Sequence, residues 1–453
     1  MVQSLKHDGS GAEPGLKDTN GNWDLTPHKS RIQRVDRDVL ATWHAVLEDE
    51  SVPVDQTRMV YTVNKSTAEV LNKLAAAPRI GDLGLQFSAG WHEKNDRTKG
   101  YFDSEWGRPE SWDSVILQGP HIHVANPFYK SPNPTMKHNQ DWTPVDLEAL
   151  PVDAIPVTEY KPRGDSERYD SAYTHWEVNG HQTSARESFR IAWRKMAANT
   201  GERTLISVVV PPGAAHIDGL VSAGSSTEEL WDLLLTAGSV SSLLLDAMIR
   251  TAPMANIRTS SIERLPVVGS NSDMAGQVLL RVLRLNCLSE AYSRLWANCF
   301  DPSFLDDKWT GGVDYSGRPN IGQIDEVWNA GIPFRRASDR YQAQVEIDVL
   351  VALSLEVTAD ELATIYRTQF PVLYGYDHRE YLYDVNGRLV PTSIRKVWES
   401  YGKPTAREAI PVDQRTLIHP DSGIQYVYSL PFGFLDREVD MRRGYEVFSA
   451  KIS

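Results

Sequence analysis

Residues 205–210 (LISVVV), closed by Pro211-Pro212-Gly213, constrain the fold more than any other segment of this chain. A β-branched apolar run of that length, stopped by turn formers, reads as a buried strand. Directly upstream lie Arg186, Arg190, Arg194 and Lys195, followed by Arg203. The spacing of four predicts a helix carrying the three arginines on one face. A basic helix beside a core strand is where a polyanion is expected to bind.

Composition limits what else the chain can be. Its 453 residues suggest about two or three domains. A 41% apolar content and 13 Trp and 18 Tyr exclude a disordered polymer. Lys plus Arg number 47 against 60 Asp plus Glu, a formal net charge of −13. That opposes indiscriminate nucleic-acid binding but leaves room for a local basic patch. Two cysteines without CxxC spacing exclude a zinc or disulfide framework and point to a reducing, cytoplasmic setting. No apolar run is long enough for a membrane span, and the N-terminus lacks the apolar core of a signal peptide.

The pattern divides the chain into a flexible leader (1–30), a mixed α/β region (31–270) and a mainly helical region (271–453). The fold class is α/β, mixed α+β. Residues 59–63 read as a strand and 114–118 as another. Ser66-x-x-Glu69, Ser226-x-x-Glu229 and Thr358-x-x-Glu361 are capping boxes. Residues 239–249 read as one helix, 278–296 and 337–355 have helical period, and Asn386-Gly387 predicts a hairpin.

Chemistry-bearing motifs are sparse. Asn126-Pro127-Phe128-Tyr129 approximates the Asn-Pro-Pro-Tyr of amino-methyltransferases, in which an Asn and a carbonyl accept from a flipped base's amine. The upstream glycines, Gly81, Gly84 and Gly90, do not form the strand–turn–helix a methyl donor needs, so a turn between short strands is the favoured reading. His121 and His123 share one face of a strand, but the sequence places no third metal ligand. His216 and Asp218 lack a nucleophile motif beside them. Glu346 and Asp348 read as a solvated or paired helix face. No Walker, dinucleotide or HExxH sequence occurs. No catalytic or metal-binding residue is therefore assigned.

Residues 117–130 (LQGPHIHVANPFYK), 189–194 (FRIAWR) and 202–213 (ERTLISVVVPPG) together resemble one family. It is the C-terminal half of large adenine-specific DNA methylases of restriction–modification and phage-defence type, similar to type IIG, BREX and DISARM methylases. Residues 230–249 followed by Ile262-Glu-Arg-Leu-Pro266 resemble the end of a TaqI-like specificity domain. The resemblance implies a non-catalytic target-recognition portion acting on double-stranded DNA. S-adenosylmethionine would be held by a partner methylase subunit or domain, with no cofactor bound here. Phosphate contacts are expected from Arg186, Arg190, Arg194, Lys195 and Arg203. Base contacts are expected from the loop at 126–139, with Asn126 and Lys130, or from that at 250–258, with Arg250 and Arg258. An autonomous but divergent methyltransferase, a protein-interaction scaffold and a regulator of a nuclease module are the alternatives.

Overall fold

The computed structural model describes residues 1–452 except 19, 20, 49, 50, 61, 139, 228, 229 and 253. Its centre is a four-stranded antiparallel sheet in the order Gln86–Ser88, Leu220–Gly224, Arg190–Arg194, Ser207–Val210. The predicted strand within 205–210 is present and buried throughout. The basic helix is not. Arg190–Arg194 is the adjacent strand, pairing Val210 with Arg190 and Ser207 with Trp193. A spacing of four places residues on one face of a strand as well as of a helix, because it is a multiple of two. Phe189, Ile191 and Trp193, alternating with Arg190, Ala192 and Arg194, are the strand signal that charge spacing concealed.

The two faces of the sheet have different covers. Ile191, Trp193, Val209, Val221 and Ala223 enter a large core with the C-terminal helices. Ala192, Val208, Val210 and Leu220 pack instead on Val115, Leu117, Ile122 and Val124 from a largely irregular segment. Helix Trp231–Ser241 lies between the sheet and helix Ala275–Asn286. Its Gly238 permits that approach, since an added Cβ would stand 2.5 Å from Val278 Cγ1. One core therefore crosses the boundary expected at residue 270. The chain is mixed α/β with a mainly helical C-terminal region, whose principal helices are Ala337–Ser354, Ala359–Gln369 and Arg437–Ile452.

Several local expectations change. Asn64, not Ser66, caps helix Lys65–Leu74, accepting from Thr67 N at 2.9 Å. The helix expected over 239–249 is broken at Ser242, whose hydroxyl caps a second helix, Leu243–Thr251, bent 65° from the first. The Thr358 capping box and the turn at Gly387 are both formed. Met59, Val60, Thr62 and Val63 of the strand expected over 59–63 are in no strand, and helix Trp231–Ser241 starts after Leu230 rather than at Ser226; Tyr61 and Glu229 lie outside the described residues. The leader is tied down: Leu16 N donates to Thr368 O at 3.0 Å and Asn64 Nδ2 to Pro14 O at 3.2 Å. Among the described residues no single helix is long and apolar enough to cross a membrane.

Asp348, in helix Ala337–Ser354, is fully buried and caps helix Leu243–Thr251 from outside, accepting from Leu243 N at 2.7 Å. Burial outweighs the pull of Arg203 and Arg437 and pushes its carboxyl up to about 6. Between the ordinary carboxylate range and pH 6, the unfolded chain releases a proton that the fold retains. The Asp348 contribution to stability therefore falls as pH rises across that window and stays low above it. Asp348→Asn keeps the acceptor for Leu243 and should stabilise the protein near pH 7 by roughly 1–3 kcal/mol, with the gain shrinking toward pH 4. Urea unfolding at the two pH values checks this; a loss of stability at pH 7 contradicts it.

Candidate functional site

The arginines expected on the surface are largely structural. Arg186 Nε donates to Gly213 O at 2.8 Å, and its other donors reach Asp113 O and Asp170. Arg190 is fully buried and bonds Ala214 O and Ser188 O. Arg194 is half-buried, donating to Gly119 O at 2.9 Å and to Ile122 O. Arg203 and Arg250 flank Asp246, and Arg250 also donates to the carbonyls of Gln369 and Gly201. Arg186, Arg190 and Arg203 are thus withdrawn from the phosphate-binding role and Arg250 from base contact, because their charge is spent on internal acceptors. The exposed Arg258 and the half-buried Lys130, Lys195 and Asn126 keep accessible surface.

What remains lies near the Arg194 end of the central strand. Lys130 lies close enough to Arg194 for the two charges to repel, which together with burial lowers the Lys130 ammonium. Lys195 follows Arg194, and its carbonyl accepts from Ile257 N at 2.7 Å, so Arg258 stands beside it. Asn126 is in a tight turn closed by paired hydrogen bonds between His123 and Asn126. Within the turn Ala125 has φ of 51°, a left-handed conformation uncommon for a residue with a Cβ. It is held there from both sides: Ala125 N donates to Ser207 O, and its carbonyl accepts from Arg340 Nη2.

That turn forms one wall of a cavity of about 620 Å³ between the sheet region and the C-terminal region. Six tyrosines line it: Tyr129, Tyr341, Tyr381, Tyr383, Tyr426 and Tyr428. Glu202 sits at one end, 3.2 Å from His123 Nε2 and accepting from the Tyr381 hydroxyl at 2.5 Å. Burial would raise its carboxyl, yet His123, Tyr381 and Arg203 hold it down at about 2. It is ionised at neutral pH. The His123 ring lies 4.7 Å from that of Tyr129. At the other end Glu148 takes a two-pronged contact from Arg388, both at 2.8 Å, and Asp146 accepts from Tyr426 at 2.9 Å.

Two further arginines line the cavity without a carboxylate partner among the described residues. Arg335 donates to the carbonyls of Leu147, Leu150 and Leu288. Arg340 donates to those of Leu285, Phe334 and Ala125, and burial, with Arg335 nearby, lowers it to about 9.

Of the residues weighed for chemistry, His121 is buried away from His123. Its Nδ1 accepts from Gln118 N and its Nε2 faces Val157 O, both at 2.8 Å. Burial lowers its imidazole to about 4, so the ring is neutral. His216 is likewise buried, with Nε2 2.8 Å from Ser222 Oγ. Among the described residues no group of three or more His, Cys, Asp or Glu side chains could hold a metal. Gly81 packs on Glu263, and a Cβ at Gly90 would stand 2.2 Å from His216 O. Sequence reasoning passed over Glu202, Arg335, Arg340 and the tyrosines. Tyr381/Tyr383 and Tyr426/Tyr428 recur at strand period, a signal that could have marked an aromatic wall.

No protein-family model matches the chain. A search of curated proteins likewise finds no match.

Reversing a charge separates the structural from the accessible residues. Arg190→Glu sets a carboxylate against carbonyl oxygens and should cost more than about 4 kcal/mol in urea unfolding, whereas Lys195→Glu should stay within about 0.5 kcal/mol. Similarly small effects of both changes would contradict the burial assigned to Arg190.

Proposed function

We propose that the chain is the DNA target-recognition component of an adenine-specific methyltransferase system of restriction–modification or phage-defence type. A partner subunit or domain supplies S-adenosylmethionine and the chemistry. The observation that carries this reading is the adjacency of the three segments that resemble the family. The strands from 189–194 and 202–213 pair with each other, and 117–130 is bonded to both, through Arg194 and through Ala125 to Ser207. Such packing favours one recognition unit over three unrelated likenesses. Its accessible margin carries Lys130, Arg194, Lys195 and Arg258, with Asn126 beside them. On this reading Lys195 contacts phosphates, as do Lys130 and Arg258, for which the sequence suggested base contacts; together they fix the register of the duplex, while Asn126 is placed to reach a base edge. The excess of acid elsewhere keeps the rest of the surface from competing for DNA.

The combined variant Lys130→Ala, Lys195→Ala, Arg258→Ala should weaken binding to duplex DNA at low salt. It should also reduce the slope of log K against log salt by about one for each phosphate that is no longer neutralised. Fluorescence anisotropy over a salt series measures both. Unchanged affinity and slope in a folded triple variant would remove the phosphate role. Absence of duplex binding by the native chain, alone and with its methylase partner, would overturn the reading altogether.

A further inference from the structure

The tyrosine-lined cavity adjoins the basic margin at Asn126 and Tyr129 but differs from it in chemistry, and its contents point to a ligand of their own. At about 620 Å³ it falls within the size range of pockets that enclose a small organic molecule. Tyrosine rings offer faces to a planar aromatic group at little entropic cost. Among the described residues the hydroxyls of Tyr129 and Tyr383 make no hydrogen bond, so both remain available at the wall. Glu202 is an ionised acceptor. His123 and Tyr381 occupy one site on each of its oxygens, and a carboxylate has about four such sites. A ligand group facing it must donate hydrogen. Arg335 and Arg340 supply the opposite requirement. Their N–H groups bond to carbonyl oxygens, which satisfies geometry but leaves both positive charges without a counter-charge. Glu148, which also lines the cavity, is committed to Arg388 and Arg336.

We infer that this cavity receives a single unstacked nucleotide whose base carries an exocyclic amino group. The base lies among Tyr129, Tyr381 and Tyr383 with its amino edge toward Glu202, and the phosphate neutralises Arg335 and Arg340. The amino groups of adenine, cytosine and guanine donate to the carboxylate, whereas thymine or uracil offers it only N3–H flanked by two carbonyl oxygens that repel it. The nucleotide can be free, or everted from a nucleic-acid strand. A free nucleotide presents the same groups, so occupancy of the cavity is independent of the DNA-recognition reading.

Titration calorimetry of the full chain with dAMP, dTMP and deoxyadenosine tests it. The expected result is saturable binding of dAMP, at least about tenfold tighter than dTMP and about tenfold tighter than deoxyadenosine. Glu202→Gln, which can donate as well as accept, should bring dAMP and dTMP much closer together while the melting temperature shows that it folds. The discrimination by the native chain stands even if that variant does not fold. Equal affinity for dAMP and dTMP, or no binding of either at millimolar concentration, overturns the inference. Competition of bound dAMP by a duplex with one unpaired adenine assigns the source to nucleic acid; persistence of dAMP assigns it to the free nucleotide. The Lys130/Lys195/Arg258 triple variant keeps the readings separable, since it should lose duplex affinity and retain dAMP.

Discussion

Buried guanidinium groups bonded to main-chain carbonyl oxygens hold this architecture together. Much of the chain around the sheet is irregular, and irregular backbone that is shielded from water leaves carbonyls without partners. Arginine answers that need with five donors on a planar, weakly hydrated group. Arg186, Arg190 and Arg194 fasten the carbonyls of Asp113, Gly119, Ile122, Gly213 and Ala214 to the sheet. Arg284 does the same for Asn320, Ile321 and Ile332 while lying 4.0 Å over the Phe334 ring. Its guanidinium is lowered to about 9, chiefly by burial, which measures how far from water such a fastening lies. Where a carboxylate is present as well, as with Arg281 between Glu346 and Asp307, the charge is compensated and the cation is favoured.

The same device explains what could be read from the sequence. The apolar run at 205–210, the helical period beyond 271, the Thr358 capping box and the turn at Gly387 depend on neighbours close in the chain, and local pattern suffices for them. The fate of Arg190 does not. Whether an arginine faces solvent or a row of carbonyls is decided by segments 113–122 and 213–214, which no local periodicity mentions. The regular alternation of Phe189-Arg-Ile-Ala-Trp-Arg194 contained the strand, but the spacing of its charges suited a helix equally well. Glu346 and Asp348 read as a solvated or paired helix face; both are buried rather than solvated, and their partners, Arg281 and the Leu243 amide, could not be named in advance. The cavity was the least legible feature. His123, Glu202, Arg340, Tyr381 and Tyr426 are far apart in sequence, and only tertiary packing makes them neighbours.

Once the arginines are assigned to the interior, the electrostatics of the molecule divide into two tasks. Charge inside the fold organises backbone, and the little positive charge left on the margin at Lys130, Lys195 and Arg258 is set against an acidic surround. The cavity obeys a different logic, with an acceptor at one end and uncompensated cations along its wall.

The strained turn at Ala125 also bears on how the protein is made. Its left-handed conformation is secured by Ser207 on one side and Arg340 on the other, and the remaining walls of the cavity arrive with residues 381–437. A nascent chain that has emerged only as far as the sheet can pair its strands, but it carries the turn clamped on one side and the arginines of the helical region not yet synthesised. Assembly of the cavity is therefore a late, long-range event in vectorial folding, entropically costly and completed only near the end of translation. A stop before residue 381 would leave the strands of the sheet whole in sequence and strip the pocket of Tyr381, Tyr383, Tyr426 and Tyr428.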